Sequence, residues 1–274
     1  MEDTFIHFVI TRFNIRAKGW ELDKNQNEVN NDEWLIDRIV LFETYCLPSF
    51  IFQTEKRFHW LVFFDIKSPD YLKVKIKEWE RRCPNFVACF VENYEDFLNF
   101  EIDRTIKKYN VKEDFIITTR IDNDDAFHKD AIKIIQNNFK PIDNSIIDIV
   151  NGYCLSLEKR LVFKRKYNSN PFVSYIEKNI IGVSIASVMK EGHPAWEGKV
   201  PFISVNTKPL WIQVIHEKNV SNTIKGNIIL YKKNVKEFGI TFPFKFSFLN
   251  SLKQKIKINL MLFKHNLKIL ILRK

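Results

Sequence analysis

Short apolar runs alternate with longer stretches of helical periodicity through the first half of the chain. IHFVI at 6–10 is short, apolar and rich in β-branched residues, which predicts a buried strand. Asn31 or Asp32 stands where a cap belongs before EWLIDRIVLFETYCL, and Pro48 is expected to lie just past the end of that helix. WLVFFD at 60–65 predicts a second buried strand. Ser68 and Pro69 then open a helix over PDYLKVKIKEWERRC, with Ser68 as its cap and Pro69 in the first turn, where a missing N–H costs nothing. NFVACFV at 85–91 predicts a third strand and YEDFLNFEIDRTIKKY a third helix. DFIITTRID at 114–122 predicts a fourth strand ending on an acidic cluster, with a helix over DAFHKDAIKIIQNNF after it. The second half is less regular. SIIDIVNGYCL and RLVFKRKY read as a hairpin or two meandering strands, EGHPAWEGKVPF as a loop, and PLWIQVIHEKNVSN as a late strand followed by a polar loop.

Strands that alternate with helices imply parallel pairing through right-handed crossovers. The expected fold class is therefore α/β, with a mixed, mainly parallel, Rossmann-like sheet flanked by helices. Ligands of such sheets gather beyond the carboxyl ends of the strands. Three polar sites fall at those ends, Thr11-Arg12, Asp65 and Asp122–Asp125, and their convergence predicts one shared cleft.

Composition narrows the chemistry. Hydrophobic residues make up 45%, enough for a full core, while only 7 glycines are present and no glycine-rich phosphate fingerprint occurs. Lys and Arg number 43 against 33 Asp and Glu, a formal charge of +10 that suits anionic partners: nucleotide phosphates, nucleic acid or an acidic membrane surface. The aromatics lie mostly inside apolar runs, which speaks for core and against a nucleic-acid platform. Cys46, Cys83, Cys89 and Cys154 show no CxxC spacing and read as reduced thiols of a cytosolic protein. MEDTFIHFVI reads as a first strand and not a signal peptide, and no apolar run reaches the roughly 18 residues that span a bilayer. From Phe244 the chain changes character. Residues 244–274 mix Lys with Leu, Ile and Phe, and helix-spaced apolar positions such as Phe248, Leu252, Ile256, Leu260 and Phe263 predict a basic amphipathic helix. Such a tail either packs on the rest of the protein or holds it to an anionic leaflet.

The acidic cluster carries the sharpest chemistry. Asp122, Asp124 and Asp125 fall within four residues, and three ionised carboxylates that close repel one another. A divalent cation relieves that repulsion, and Mg²⁺ or Mn²⁺ favours carboxylate oxygens together with substrate phosphates. The alternation of an extended strand would let Asp122 and Asp124 face one ligand while Asn123 turns away. The competing reading makes Asp124 or Asp125 the cap of a helix starting near Ala126.

TRIDNDDA resembles the DxD-type motif of GT-A glycosyltransferases, which hold a nucleoside-diphosphate sugar through a divalent metal. More narrowly, the chain resembles the bacterial putative rhamnosyltransferase family through FVITRFNIR (8–16), WLIDRIVLFETYCLPSFIFQ (34–53), FHWLVFFD (58–65), TTRIDNDDA (118–126) and WIQVIHEKNVSN (211–222). The resemblance implies a GT-A-like catalytic domain over 1–243, with a nucleotide-binding half (1–125) and an acceptor-side half (126–243), ahead of the tail at 244–274. It implies that Asp122 meets the nucleotide side, that Asp124 ligates Mn²⁺ or Mg²⁺ at the diphosphate, and that Asp125 supports the site or approaches the sugar. Asp65 would read the nucleobase, Thr11 and Arg12 would flank the nucleotide, and Arg104 and Arg120 would offset diphosphate charge. Arg120 lies in a buried strand and so needs an anionic partner, an aspartate or the ligand. His216 would be a further metal or diphosphate contact, with Asn219 and Ser221 along the same phosphate region.

Activating an acceptor hydroxyl takes a general base. The candidates are Glu191 and His193 of EGHPAWE, with Trp196 as a stacking surface for a sugar, although no clear Glu-Asp base motif is present. His7, His59, His128 and His265 read as structural or surface residues. The expected partners are a nucleoside-diphosphate sugar, with rhamnose a candidate, and a glycan or glycolipid acceptor, without nucleic acid. The expected location is cytoplasmic, peripheral on the inner face of the membrane. The competing classes are a phosphoryl or nucleotidyl transferase with a two-metal centre and a nonenzymatic basic binding protein.

Overall fold

A computed structural model of the chain describes residues 4–16, 31–216, 225–229, 233–241, 249 and 251–257. Its elements, in order, are β1 (Phe5–Arg12), α1 (Asp32–Leu41), α2 (Leu47–Ile51), β2 (His59–Asp65), α3 (Asp70–Arg82), β3 (Phe86–Val91), α4 (Tyr94–Asp96), α5 (Ile102–Lys107), β4 (Phe115–Arg120), β5 (Ala126–Phe127), α6 (Ala131–Asn137), β6 (Ser145–Ile149), β7 (Asn151–Ser156), β8 (Leu161–Lys166), β9 (Ser174–Lys178), β10 (Phe202–Val205), β11 (Trp211–Ile215) and β12 (Asn227–Ile228).

A seven-stranded sheet in the order β10-β6-β9-β4-β1-β2-β3 forms the centre. β1 pairs in parallel with both β2 and β4, and β9 alone runs against its neighbours. The fold is thus mixed α/β with a mainly parallel sheet, as expected. Alternation along the strands divides the core. Val9, Val62 and Phe64 pack under α1 and α3, while Phe8, Ile10, Leu61 and Phe63 pack on the other face against Ile102 and Ile106 of α5. The strand order reverses at β1, with β2 and β3 on one side and β4 on the other, so the crevice of such a sheet opens beyond the ends of β1 and β4.

A five-stranded sheet, β12-β8-β7-β11-β5, is built on this frame. The chain leaves the large sheet after β6 and enters the small one at β7, so SIIDI and NGYCL belong to different sheets, and only β7 and β8 form a hairpin. Gly152 on β7 leaves room for the indole of its partner on β11, since a Cβ there would lie 2.0 Å from Trp211 Cδ2.

Two helix boundaries differ from expectation. Helical backbone continues through Pro48 to Ile51, because a π-turn at Phe42–Cys46 widens the helix just before the proline, and Pro48 opens the next segment, where its missing N–H is tolerated. Burial holds this segment down: Phe50 stacks on Trp60 with ring centroids 3.7 Å apart. The helix expected from Ala126 starts at Ala131 instead, because Ala126–Phe127 pairs with β11. Asp124 and Asp125 are therefore not its cap; Asp130 takes that position. β9 and β10 were not anticipated. Among the described residues no helix is long and apolar enough to cross a membrane. Residues 251–257 are helical, and the rest of the expected tail helix, apart from Leu249, lies outside the described residues.

Candidate functional site

Because β4, β1 and β2 are neighbours, Asp122–Asp125, Thr11-Arg12 and Asp65 come to adjoining strand ends. After Arg120 the backbone leaves the ladder and turns, with Asp125 N donating to Asp122 O at 3.2 Å. The period of an extended strand therefore fails here. Asn123 does not turn away: it is buried, accepts from Arg38 Nη1 at 3.0 Å and donates to the Phe13 carbonyl at 2.7 Å, tying the turn to the end of β1.

Arg38 organises this turn. It lies on α1, buried, one helical turn from Trp34, whose ring is 4.5 Å from its guanidinium carbon. Its Nη1 also donates to Asp124 Oδ2 at 2.7 Å, and His216 Nε2 lies 2.9 Å from the same oxygen. Burial raises the Asp124 carboxyl, but the Arg38 charge and the His216 contact outweigh it and hold that group below the usual carboxylate range. Asp125 is driven the opposite way. It is fully buried beside Asp124 and Asp122, and burial followed by those charges pushes its carboxyl well above the usual value. One of its oxygens accepts from Val214 N at 2.8 Å, and the other has no hydrogen-bond partner among the described residues. The expected repulsion is thus relieved at Asp124 by an arginine and a histidine, while burial and its neighbours' charges favour the neutral form of Asp125. Arg38 and His216 also line a cavity of about 420 Å³ with Trp34, Asp37, Leu157 and Glu158.

The remaining candidates divide. Arg120 has the anionic partner it needed, Asp122, with Nη2 3.8 Å from Oδ1, and the Asp122 side chain stays 44% exposed. Arg12 lies over the Tyr94 ring at 5.3 Å. Asp65 is partly buried and accepts from Lys67 N at 2.7 Å. Thr11 is fully buried, and its hydroxyl accepts from Trp60 Nε1 at 2.9 Å, so its side chain faces the core. Arg104 is paired with Glu101 at 2.7 Å on a solvent-exposed face of α5. Asn219, Ser221 and His265 lie outside the described residues.

Of the candidate bases, His193 is clamped to the turn after β8. Ser169 Oγ donates to His193 O at 2.6 Å, and His193 Nδ1 lies 2.6 Å from Ser169 O. A carbonyl only accepts, so Nδ1 carries the proton and Nε2 keeps its lone pair. Burial lowers the His193 imidazole; the Ser169 contact raises it, and the Arg120 charge lowers it, with Asp122 opposing and Arg165 adding. His193 therefore lies within electrostatic reach of Arg120 and Asp122 at the acidic turn. Glu191 pairs with Lys199 at 2.9 Å. Trp196 is no sugar platform: it is buried, stacked on Tyr175 with centroids 4.7 Å apart. His7 is an interior group, 2.7 Å from Thr119 Oγ1, with burial pushing its imidazole down to about 3 against the charge of Glu55.

Arg38 was missed in the sequence reading. Its signal was a lone arginine on the apolar face formed by Trp34, Leu35, Ile39 and Phe42. As metal donors, Asp124 and His216 offer a carboxylate oxygen and an imidazole nitrogen at one point. Among the described residues no group of three or more His, Cys, Asp or Glu side chains is placed to hold a metal ion.

Among solved structures, the chain is similar to S. aureus TarS 1-349, with 11% identity over 76% of this chain and 60% of that one and a TM-score of 0.42. The same TarS fragment in complex with UDP-GlcNAc gives 12% identity over 81% and 62%, again with a TM-score of 0.42. The inositol-1-phosphate CTP transferase of T. maritima gives 13% identity over 76% and 89%, with a TM-score of 0.36. The chain therefore spans less than two thirds of the length of the TarS fragment. No curated protein sequence matches it. The profile of the family described as Putative rhamnosyl transferase matches residues 7–228, and the chain belongs to that family.

Proposed function

We propose that this protein moves a sugar, rhamnose being the candidate its family points to, from a nucleoside-diphosphate donor to a hydroxyl of a glycan or glycolipid. The observation that carries this reading is the meeting of Asp124, His216 and Arg38 at the end of β4, beside the switch in strand order. Asp124 and His216 suit Mn²⁺ or Mg²⁺, ions that take few protein ligands and complete their shell with diphosphate oxygens and water. The bound ion would neutralise charge on the departing diphosphate. Arg120, half-buried beside Asp122, would support the same charge, which grows as the bond to the sugar breaks.

His193 serves as the base. Its Nδ1 proton is committed to the Ser169 carbonyl, so Nε2 accepts the proton of the acceptor hydroxyl as that oxygen attacks the anomeric carbon. Asp125, held protonated against β11, would shape the turn from behind. The tail from 244 would tether the enzyme to an anionic leaflet. A phosphoryl transferase with two metals is disfavoured, since Asp125 is committed to Val214. The test is thermal stability across a panel of nucleoside diphosphates, with and without Mn²⁺. Stabilisation by a nucleotide only when Mn²⁺ is present is expected. A folded sample indifferent to every nucleotide would sink the reading.

A further inference from the structure

Arg38 pairs with Asp124, Arg57 with Glu55, Arg104 with Glu101 and Arg120 with Asp122. Arg165 on β8 differs. Its side chain is half-buried, and its Nη1 donates to Gln213 Oε1 at 2.9 Å and approaches Cys154 Sγ at 3.8 Å. Its guanidinium carbon lies 3.7 Å from the centre of the Tyr167 ring. Every one of these partners is neutral, and among the described residues no carboxylate pairs with it. A guanidinium held in place by a ring and an amide, with no counter-charge of its own and part of its surface still in water, is open to an anion from outside the fold.

The position says which anion. Tyr167 packs edge-on to the His193 ring, with centroids 5.8 Å apart, so Arg165 and His193 flank the same aromatic ring. Arg120 and Arg165 both act on the His193 imidazole through their charge. Arg165 Nε and Nη2 have no hydrogen-bond partner among the described residues, and a planar guanidinium held by a ring and an amide is preorganised for two-point contact with a phosphate.

We propose that Arg165, seated on Tyr167, forms a phosphate-binding subsite beside His193, separate from the Asp124 cluster. It rests on the reading of His193 as the acceptor-side base and deepens it: the acceptor would carry a phosphate close to the hydroxyl that reacts. The donor diphosphate offers the same chemistry, and the experiment separates the two sources.

Wild type, Arg165→Gln and Arg165→Lys are titrated calorimetrically with glycerol phosphate, alone and after saturation with Mn²⁺ and a stabilising nucleoside diphosphate. The subsite predicts glycerol phosphate binding to the nucleotide-loaded wild type, a loss of about tenfold or more in Arg165→Gln, partial recovery in Arg165→Lys, and unchanged nucleotide affinity. If nucleotide affinity falls instead and the loaded protein ignores glycerol phosphate, the phosphate belongs to the donor and the acceptor assignment is overturned. Equal affinities of wild type and Arg165→Gln for both ligands overturn the subsite altogether. If no nucleotide binds, the glycosyltransferase reading fails, while the glycerol phosphate titration still reads the subsite alone.

Discussion

In the turn Asp122–Asp125 the holding contacts are made largely by side chains. Arg38 reaches in from α1, His216 from beyond β11, and Asn123 and Asp125 spend their own side chains on the backbone of Phe13 and Val214. In the facing segment Glu191–Glu197, His193 is fixed by a reciprocal pair of contacts with Ser169, both ending on main-chain carbonyls, and Trp196 anchors the segment by packing on Tyr175. The difference has a consequence. In the turn, charge balance and the proposed chemistry reside in the same atoms, so a substitution there should disturb fold and function together. In the histidine segment the anchoring Nδ1 and the proposed reactive Nε2 are separate atoms, so on that proposal function can be lost while the fold survives.

The largest effect should come from Asp124. Asp124→Asn removes the charge that compensates buried Arg38, so it should cost about 3–5 kcal/mol of stability, as removal of one partner of a buried pair does. It should also lower transfer by about 10³-fold, within the range for loss of a group that stabilises developing charge. The double variant Arg38→Met with Asp124→Asn takes both charges out and should recover most of the stability but none of the activity. Denaturant unfolding and transfer rates of the three variants check this. A stable Asp124→Asn protein would break the comparison, for the turn would then not depend on its charge pair.

His193→Gln should lower kcat by about 10²-fold, the lower end for loss of a general base, with a melting temperature close to wild type. Its pH dependence carries the sign. In the proposed role the neutral imidazole is the active form, and burial lowers its pKa below the ordinary value of about 6.5. Wild-type kcat/KM should therefore hold as pH falls to 6.5 and drop below it, as Nε2 is protonated. The variant should lack this acid limb. A variant that keeps the limb would show that another group titrates in the reaction.

Much of this arrangement could be read from the chain, for physical reasons specific to each part. β1 to β4 are short apolar runs bounded by polar residues, a pattern that survives any tertiary context. That parallel register, together with the strand order, also put Arg12, Asp65 and Asp122 at adjoining ends. β9 was harder, because SYIEK is polar by composition yet buried along most of its length, with Glu177 sheltered by the N–H groups of Ala186 and Ser187. The boundary at Pro48 misled because a π-turn absorbs the proline. Asn123 misled because a tight turn has no period of two. Thr11 and Trp196 have the right polarity or aromaticity for a ligand, but Trp60 and Tyr175 claim them first, and such pairings across distant segments leave no local trace.

The smallest effect is expected at Glu191, the other candidate base, and it sharpens the contrast most directly. Glu191 follows Ser187–Lys190 by chain position and comes within two residues of His193, so distance along the chain does not separate the two candidates. Their contacts do. The Glu191 carboxylate pairs with Lys199, whose side chain is 55% exposed, while His193 is locked to Ser169 with its charge environment set by Arg120. Exposed pairs of this kind contribute about 0–1 kcal/mol, so Glu191→Gln should leave unfolding nearly unchanged. It should also leave kcat/KM within about twofold and preserve the acid limb assigned to His193, since the base keeps both its anchor and its neighbours. Loss of that limb in Glu191→Gln, with His193→Gln still active, would move the base to the carboxylate and leave the Ser169 clamp a purely structural device.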